Sequence, residues 1–184
     1  MTIRPARPGD PPFAVPLIQD TTGHIGLILT GAAPDAEAPN AEPQDVMLGF
    51  FARAGHRLSV QNVWIAERSG ERLGPLLGDV GADCKALDGP FRGHLRGRGL
   101  PGEWSVDTLA VTAAARGQGI GARLLREAAA QAVSRGLGRV GLLLEKGYRA
   151  ARLCARAGFA AAGERMVGGH PYSHIIRLIR ETPQ

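Results

Sequence analysis

Apolar residues recur at helical spacing from Ile120 onward: Ile120, Leu124, Leu125, Ala128, Ala129, Ala132 and Val133. This predicts a long amphipathic helix, closed by Gly136 as a C-cap. Just ahead of it the run Trp104–Val111 predicts a strand, ending in the apolar triplet Leu109-Ala110-Val111. Val140–Leu144 reads as a buried strand. Tyr148–Ala157 reads as a helix with Ala150, Leu153, Cys154 and Ala157 on one face. Glu164–Val167 and Tyr172–Ile179 predict a hairpin around Gly168-Gly169.

The first half of the chain is less regular. Ile3–Ala6 predicts a short strand. Asp10 followed by Pro11 has the chemistry of an N-cap and first helical position, and Pro16 is expected to kink or end that helix. Asp45 is a candidate cap for a helix that places Val46, Met47, Phe50, Phe51 and Ala54 on one face and ends at Gly55. Val63–Ala66 and Leu73–Gly78 predict a hairpin turned by Ser69-Gly70. Pro75 inside it implies a bulge or an edge position. Residues 31–44 and 81–102 read as mobile loops, the second carrying Arg92, His94, Arg96 and Arg98. No internal repeat is present. The element order gives one α/β domain over 1–184, with three layers and a mixed, mostly antiparallel sheet.

Composition adds limits. A chain of 184 residues suffices for one domain with its own core. No apolar run approaches the ~20 residues of a membrane helix, and Met1–Pro5 lacks the apolar core of a signal peptide. Cys84 and Cys154 are isolated, which indicates neither a metal cluster nor a disulfide framework and points to a reducing cytoplasm. The net charge of +5 admits nucleic-acid binding. The arginines are spread, however, and aromatics make up only 5% of the chain, so stacking platforms are scarce.

The chemistry concentrates at Arg116-Gly117-Gln118-Gly119-Ile120-Gly121, the turn between strand and helix. The first N–H groups of a helix lack internal partners, glycines let the backbone approach a ligand, and the helix dipole favours negative charge there. A pyrophosphate uses all three. The turn has no lysine, so it is not an ATP-type P-loop. The G-x-G-x-x-G pattern at Gly136–Gly141 lies between a helix and a strand in the wrong order for a dinucleotide fold.

Arg116-x-x-Gly119-x-Gly121 resembles the Arg/Gln-x-x-Gly-x-Gly/Ala loop of the GNAT superfamily of N-acetyltransferases. A second block, Ala150-x-x-Leu153-Cys154-Ala155-x-Ala157-Gly158-Phe159, resembles that family's Ala-x-x-Leu-Tyr-x-x-x-Gly-Phe helix. The resemblance spans Trp104–Phe159 and implies an acetyl-coenzyme A cosubstrate lying in a wedge between the fourth and fifth strands. It places Leu109, Ala110, Val111, Arg116, Gly117, Gln118, Gly119, Ile120, Gly121 and Ala122 against that cosubstrate. It also implies direct attack of an amine on the thioester, with backbone N–H groups near Leu109 and Val111 polarising the carbonyl. Candidate bases are Asp107, which shares a strand face with Ser105 and Leu109, and Glu145 at the end of the fifth strand. Some family members carry a glutamate at the position of Ser105.

Cys154 stands where the family usually has a tyrosine that protonates the leaving thiolate. It then either fills space or plays a chemical part of its own, and Tyr148, Tyr172 or water is left as the donor. The family's asparagine before this helix is also missing. These departures keep a second reading open, a non-catalytic acyl-coenzyme A-binding module. The acceptor, a small-molecule or peptide amine, is not encoded legibly. A homodimer is common in such families.

Overall fold

Trp104 fixes the centre of the fold. It is fully buried, meets Trp64 edge to face with centroids 5.5 Å apart, and lies over Gly78, where a β-carbon would collide with its ring. The computed structural model describes residues 1–22, 43–89, 99–167 and 170–179. Seven strands form one sheet in the order β1-β2-β3-β4-β5-β7-β6. They are β1 (Thr2–Pro5), β2 (Val63–Arg68), β3 (Glu71–Val80), β4 (Glu103–Leu109), β5 (Arg139–Glu145), β6 (Ala160–Val167) and β7 (His170–Leu178). The helices are α1 (Pro11–Thr22), α2 (Pro43–Phe51), a single-turn α3 (Cys84–Leu87), α4 (Ile120–Ser134) and α5 (Ala151–Arg156).

Two cores lie on opposite faces of the sheet, giving the three-layer arrangement expected from the element order. On one face α4 and α5 pack Leu124, Leu125, Ala128 and Cys154 onto Trp104, Val106, Val140, Leu142 and Ile175. On the other, α1 and α2 pack Val15, Ile18, Met47 and Phe51 onto Val63, Ile65, Leu77 and Tyr172. The helix α4 ends at Gly136 in the left-handed region, with the Leu137 N–H donating to the Ala132 carbonyl at 2.9 Å. This is the C-cap read from the sequence.

All strand pairs are antiparallel except β4 with β5. That parallel ladder runs only from Glu103–Arg139 to Val106–Leu142. Beyond it β4 stays with β3 as far as Leu109–Leu76, and β5 stays with β7 as far as Glu145–Tyr172. Each strand keeps its antiparallel partner, and the two halves of the sheet part between them.

Several sequence expectations need correction. α1 runs through Pro16 without stopping: burial of Ala14, Val15 and Ile18 outweighs the hydrogen bond that proline removes. The Asp10 carboxylate does not cap that helix. It accepts from the Arg7 N–H at 2.7 Å and from Arg4, and these bonds hold it below its usual range although burial pushes it up. α2 already begins at Pro43 and not behind Asp45. Pro75 sits in an internal strand, with a bulge at Leu77/Gly78. The stretch read as a loop over 81–102 contains a 3₁₀ turn at Gly81–Asp83 and helix α3. Residues 31–42, and Arg92, His94, Arg96 and Arg98, lie outside the described residues.

Arg57 ties the α2 side to the sheet. It is completely buried, with Nε 2.6 Å from Asp88 and Nη1 2.8 Å from Asp107 of β4. Burial alone disfavours the guanidinium charge, but Asp107, Asp79 and Asp88 raise its pKa well above the ordinary arginine value. Removing one member of such a pair leaves a buried charge uncompensated. We expect Arg57→Ala to lose about 3–5 kcal/mol in urea unfolding. A loss below about 1 kcal/mol would show that the cluster does not hold the layers together.

Candidate active site

The turn after β4 is built by two glycines. Gly117 and Gly119 have φ of +75° and +77°, where L side chains are strained. Gly119 is the N-cap of α4. Gly121 serves a different purpose: a β-carbon there would lie 2.8 Å from Leu153 Cδ2 of α5. Its absence lets α5 close against the start of α4. Gln118 braces the outside, accepting from Arg68 at 3.0 Å and donating to the Ala114 carbonyl at 2.9 Å. Arg116 folds its Nε back to the Val111 carbonyl at 3.3 Å.

The main-chain amides here are the main feature. Among the described residues, no acceptor takes up the N–H of residues 117–122 in a hydrogen bond. Open amides at a helix start have the geometry that suits an anion. They face a cleft of about 740 Å³. Its walls come from Leu109–Val111, Ala115–Ala122, Tyr148–Ala150, Leu153 and α1, and it carries Arg116, Arg126, Arg149, Arg156 and Arg177. Arg126 lies on α4, Arg156 on α5 and Arg177 on β7, so separate elements converge positive charge on one opening.

A second cavity of about 270 Å³ continues from the cleft into the gap between β4 and β5. Leu109, Tyr148, Ala150 and Leu153 line both. The Ala110 and Thr112 N–H groups donate to the Pro75 and Leu73 carbonyls of β3, at 3.1 and 2.9 Å. Strand alternation turns the N–H groups of Leu109 and Val111 the other way, toward the gap. Asp107 and Glu145 line this cavity from its two strands, together with Cys154, Tyr172 and Asp20 of α1.

The sequence-selected acid–base candidates differ sharply in setting. Asp107 is tied to Arg57 at 2.8 Å, its side chain 1% exposed. Glu145 is exposed, and no ion pair links it to another described residue. Cys154 is buried, its Sγ beside the gap, and burial pushes the thiol above its usual pKa. A thiol held neutral is a poor nucleophile. His174 does not reach the cavity. It is buried, with Nε2 3.2 Å from the buried Glu103. The side chain of His170 lies outside the described residues.

Sequence reasoning missed the contribution of α1, through Leu17, Asp20 and Thr21, and the arginines at 126, 149, 156 and 177. It also missed Arg57 and two of the acids around it, Asp79 and Asp88. Among these Asp79 is pushed by burial up to about 6, with the Cys84 thiol 3.1 Å from its Oδ1. A single arginine after a helix end carries no pattern that marks it as buried.

Comparison with known proteins agrees with this geometry. Among solved structures, a crystal structure described as an acetyltransferase superposes with a TM-score of 0.75 at 27% identity, covering 98% of this chain and all of that one. An N-acetyltransferase from Staphylococcus aureus Mu50 gives 0.72 at 21% identity, over 96% of this chain and all of that one. A Mycobacterium tuberculosis protein in complex with coenzyme A gives 0.62 at 17% identity, over 98% of this chain and all of that one, and shares the fold. No curated protein matches the sequence. The family model for the acetyltransferase (GNAT) family matches residues 41–159. With that match spanning the strand, the glycine turn and both helices of the cleft, the chain belongs to the GNAT acetyltransferase family.

Proposed function

We propose that the protein transfers an acetyl group from acetyl-coenzyme A directly to an amine. The observation that carries this reading is the row of open amides at 117–122, set in a cleft with five arginines and continuous with the gap between β4 and β5. The residues fit the cosubstrate. Amides and arginines suit its phosphates. The narrow apolar passage past Leu109 and Leu153 suits its pantetheine arm. The gap suits a thioester whose oxygen accepts from the Leu109 and Val111 N–H groups as negative charge develops on it.

The amine nitrogen bonds to the carbonyl carbon, the carbon–sulfur bond breaks, and the thiolate leaves. A proton must first be taken from the ammonium, since that form is not nucleophilic. Of the two candidates, Glu145 is better suited as the base. Glu145 is exposed at the cavity, whereas Asp107 is buried with its Oδ1 already accepting from Arg57. Asp107 then holds and orients the ammonium. Cys154 fills the space beside the departing sulfur, and Tyr148, which lines both cavities, is the phenol that protonates it. The cysteine in the tyrosine position also favours the second reading, a module that binds acyl-coenzyme A without turnover.

Three measurements test this. Gly119→Glu places a carboxylate and a strained backbone at the N-cap, and calorimetric titration should show acetyl-coenzyme A binding abolished. Binding at wild-type affinity would remove the cosubstrate from this turn. With an amine that is turned over, Glu145→Gln should lower kcat by about 10²–10⁴, while Asp107→Asn should raise KM more than it lowers kcat. The reverse pattern would exchange their roles, and absence of thiol release over a broad amine panel would favour the non-catalytic module. Cys154→Ala should keep most of the activity, with no acyl-enzyme seen by mass spectrometry. Loss of activity together with a covalent adduct on the wild-type protein would establish Cys154 as a nucleophile.

A further inference from the structure

Charge is divided between the two connected cavities. Arg116, Arg126, Arg149, Arg156 and Arg177 all line the larger cleft. The smaller cavity is lined by Asp20, Asp107 and Glu145, from α1, β4 and β5, with Asp20 at the junction where it also lines the larger cleft. Among the smaller cavity's described lining residues there is no arginine, lysine or histidine. Behind the Asp107 wall lies Arg57, whose single charge is shared by Asp107 and Asp88, with Asp79 adding a third acid to the cluster. That guanidinium is 1% exposed and points its Nη1 at Asp107, so it offers nothing to a molecule in the cavity.

We infer that the acceptor is an amine bearing no carboxylate near its nitrogen, such as an alkyl monoamine or diamine, and not a free amino acid. This inference rests on the acetyl-transfer reading and narrows its acceptor. An ammonium entering the gap meets the exposed carboxylates of Asp20 and Glu145, with the buried Asp107 behind them, which raises its local concentration and its rate of capture. A carboxylate a few bonds from that nitrogen would be held in the same space of about 270 Å³, among like charges and without a cationic partner. Juxtaposed like charges discriminate against a ligand even when its other contacts are satisfied. A second ammonium at that distance is favoured by the same field.

The test compares three acceptors of similar reach and amine basicity: diaminobutane, butylamine and γ-aminobutyrate. Thiol release from acetyl-coenzyme A is followed with the full chain. The expected order of kcat/KM is diaminobutane, then butylamine, then γ-aminobutyrate, with about tenfold or more between the first and last. Asp20→Arg, an exposed change on α1, should bring that ratio toward one by weakening the diamine and admitting the acid. Two results overturn the proposal: γ-aminobutyrate used as well as the diamine, or a ratio unmoved in Asp20→Arg. Calorimetry with acetyl-coenzyme A separates this from the parent reading. Binding without acetylation of any of the three contradicts the acceptor assignment alone. Absence of binding contradicts the cosubstrate site itself.

Discussion

The site depends on where one ladder of hydrogen bonds stops. β4 and β5 are parallel neighbours for four residue pairs, ending at Val106–Leu142. Parallel pairing is slightly weaker per residue than antiparallel pairing. Each strand then remains with its stronger neighbour, β4 with β3 and β5 with β7. The N–H groups that would have continued the ladder face a gap. The chain then turns at two positive-φ glycines into α4 and leaves a second set of amides open beside the first. Cleft and gap are therefore one consequence of a sheet that divides.

The surroundings separate charge along that division. On the side of α4 and α5, arginines from several elements gather around the cleft. The gap is lined by carboxylates, and the buried guanidinium of Arg57 is paired with Asp88 and Asp107. In the proposed reaction this field suits a polyanion in the cleft and a cation in the gap, with Asp20 at the junction of the two. This arrangement brings a thioester and an amine together without either competing for the other's contacts. The same Arg57 cluster that braces the fold occupies the Asp107 carboxylate, so one of the acids at the gap also serves the structure.

The parts of the fold that were legible in the sequence are those where one period dominates. The stripe Ile120, Leu124, Leu125, Ala128 and Ala132 is buried as a face of α4, and Gly136 ends it as a glycine in the left-handed region should. The mixed, mostly antiparallel sheet also follows from the element order. Local rules failed where packing outweighed them. Pro16 remains inside α1 because the residues around it are buried in the second core. At Pro75 the edge alternative fails, since the strand is internal, but the bulge alternative holds, with one nearby at Leu77/Gly78 and the Pro75 carbonyl still accepting from Ala110. The glycine turn was readable from spacing, whereas the arginines of the cleft come from α4, α5, β7 and the loop before α5. Only the tertiary fold brings these together, and no window of sequence contains them.

The most direct test of the account follows the amides themselves. In a ¹⁵N-labelled sample titrated with acetyl-coenzyme A, the backbone signals of residues 117–122 and of Val111 should shift most. Their hydrogen exchange should slow at saturation as the open N–H groups gain acceptors. Signals that stay fixed at these positions while acetyl-coenzyme A binds elsewhere would contradict the claim that the parted strands and the glycine turn hold the cosubstrate.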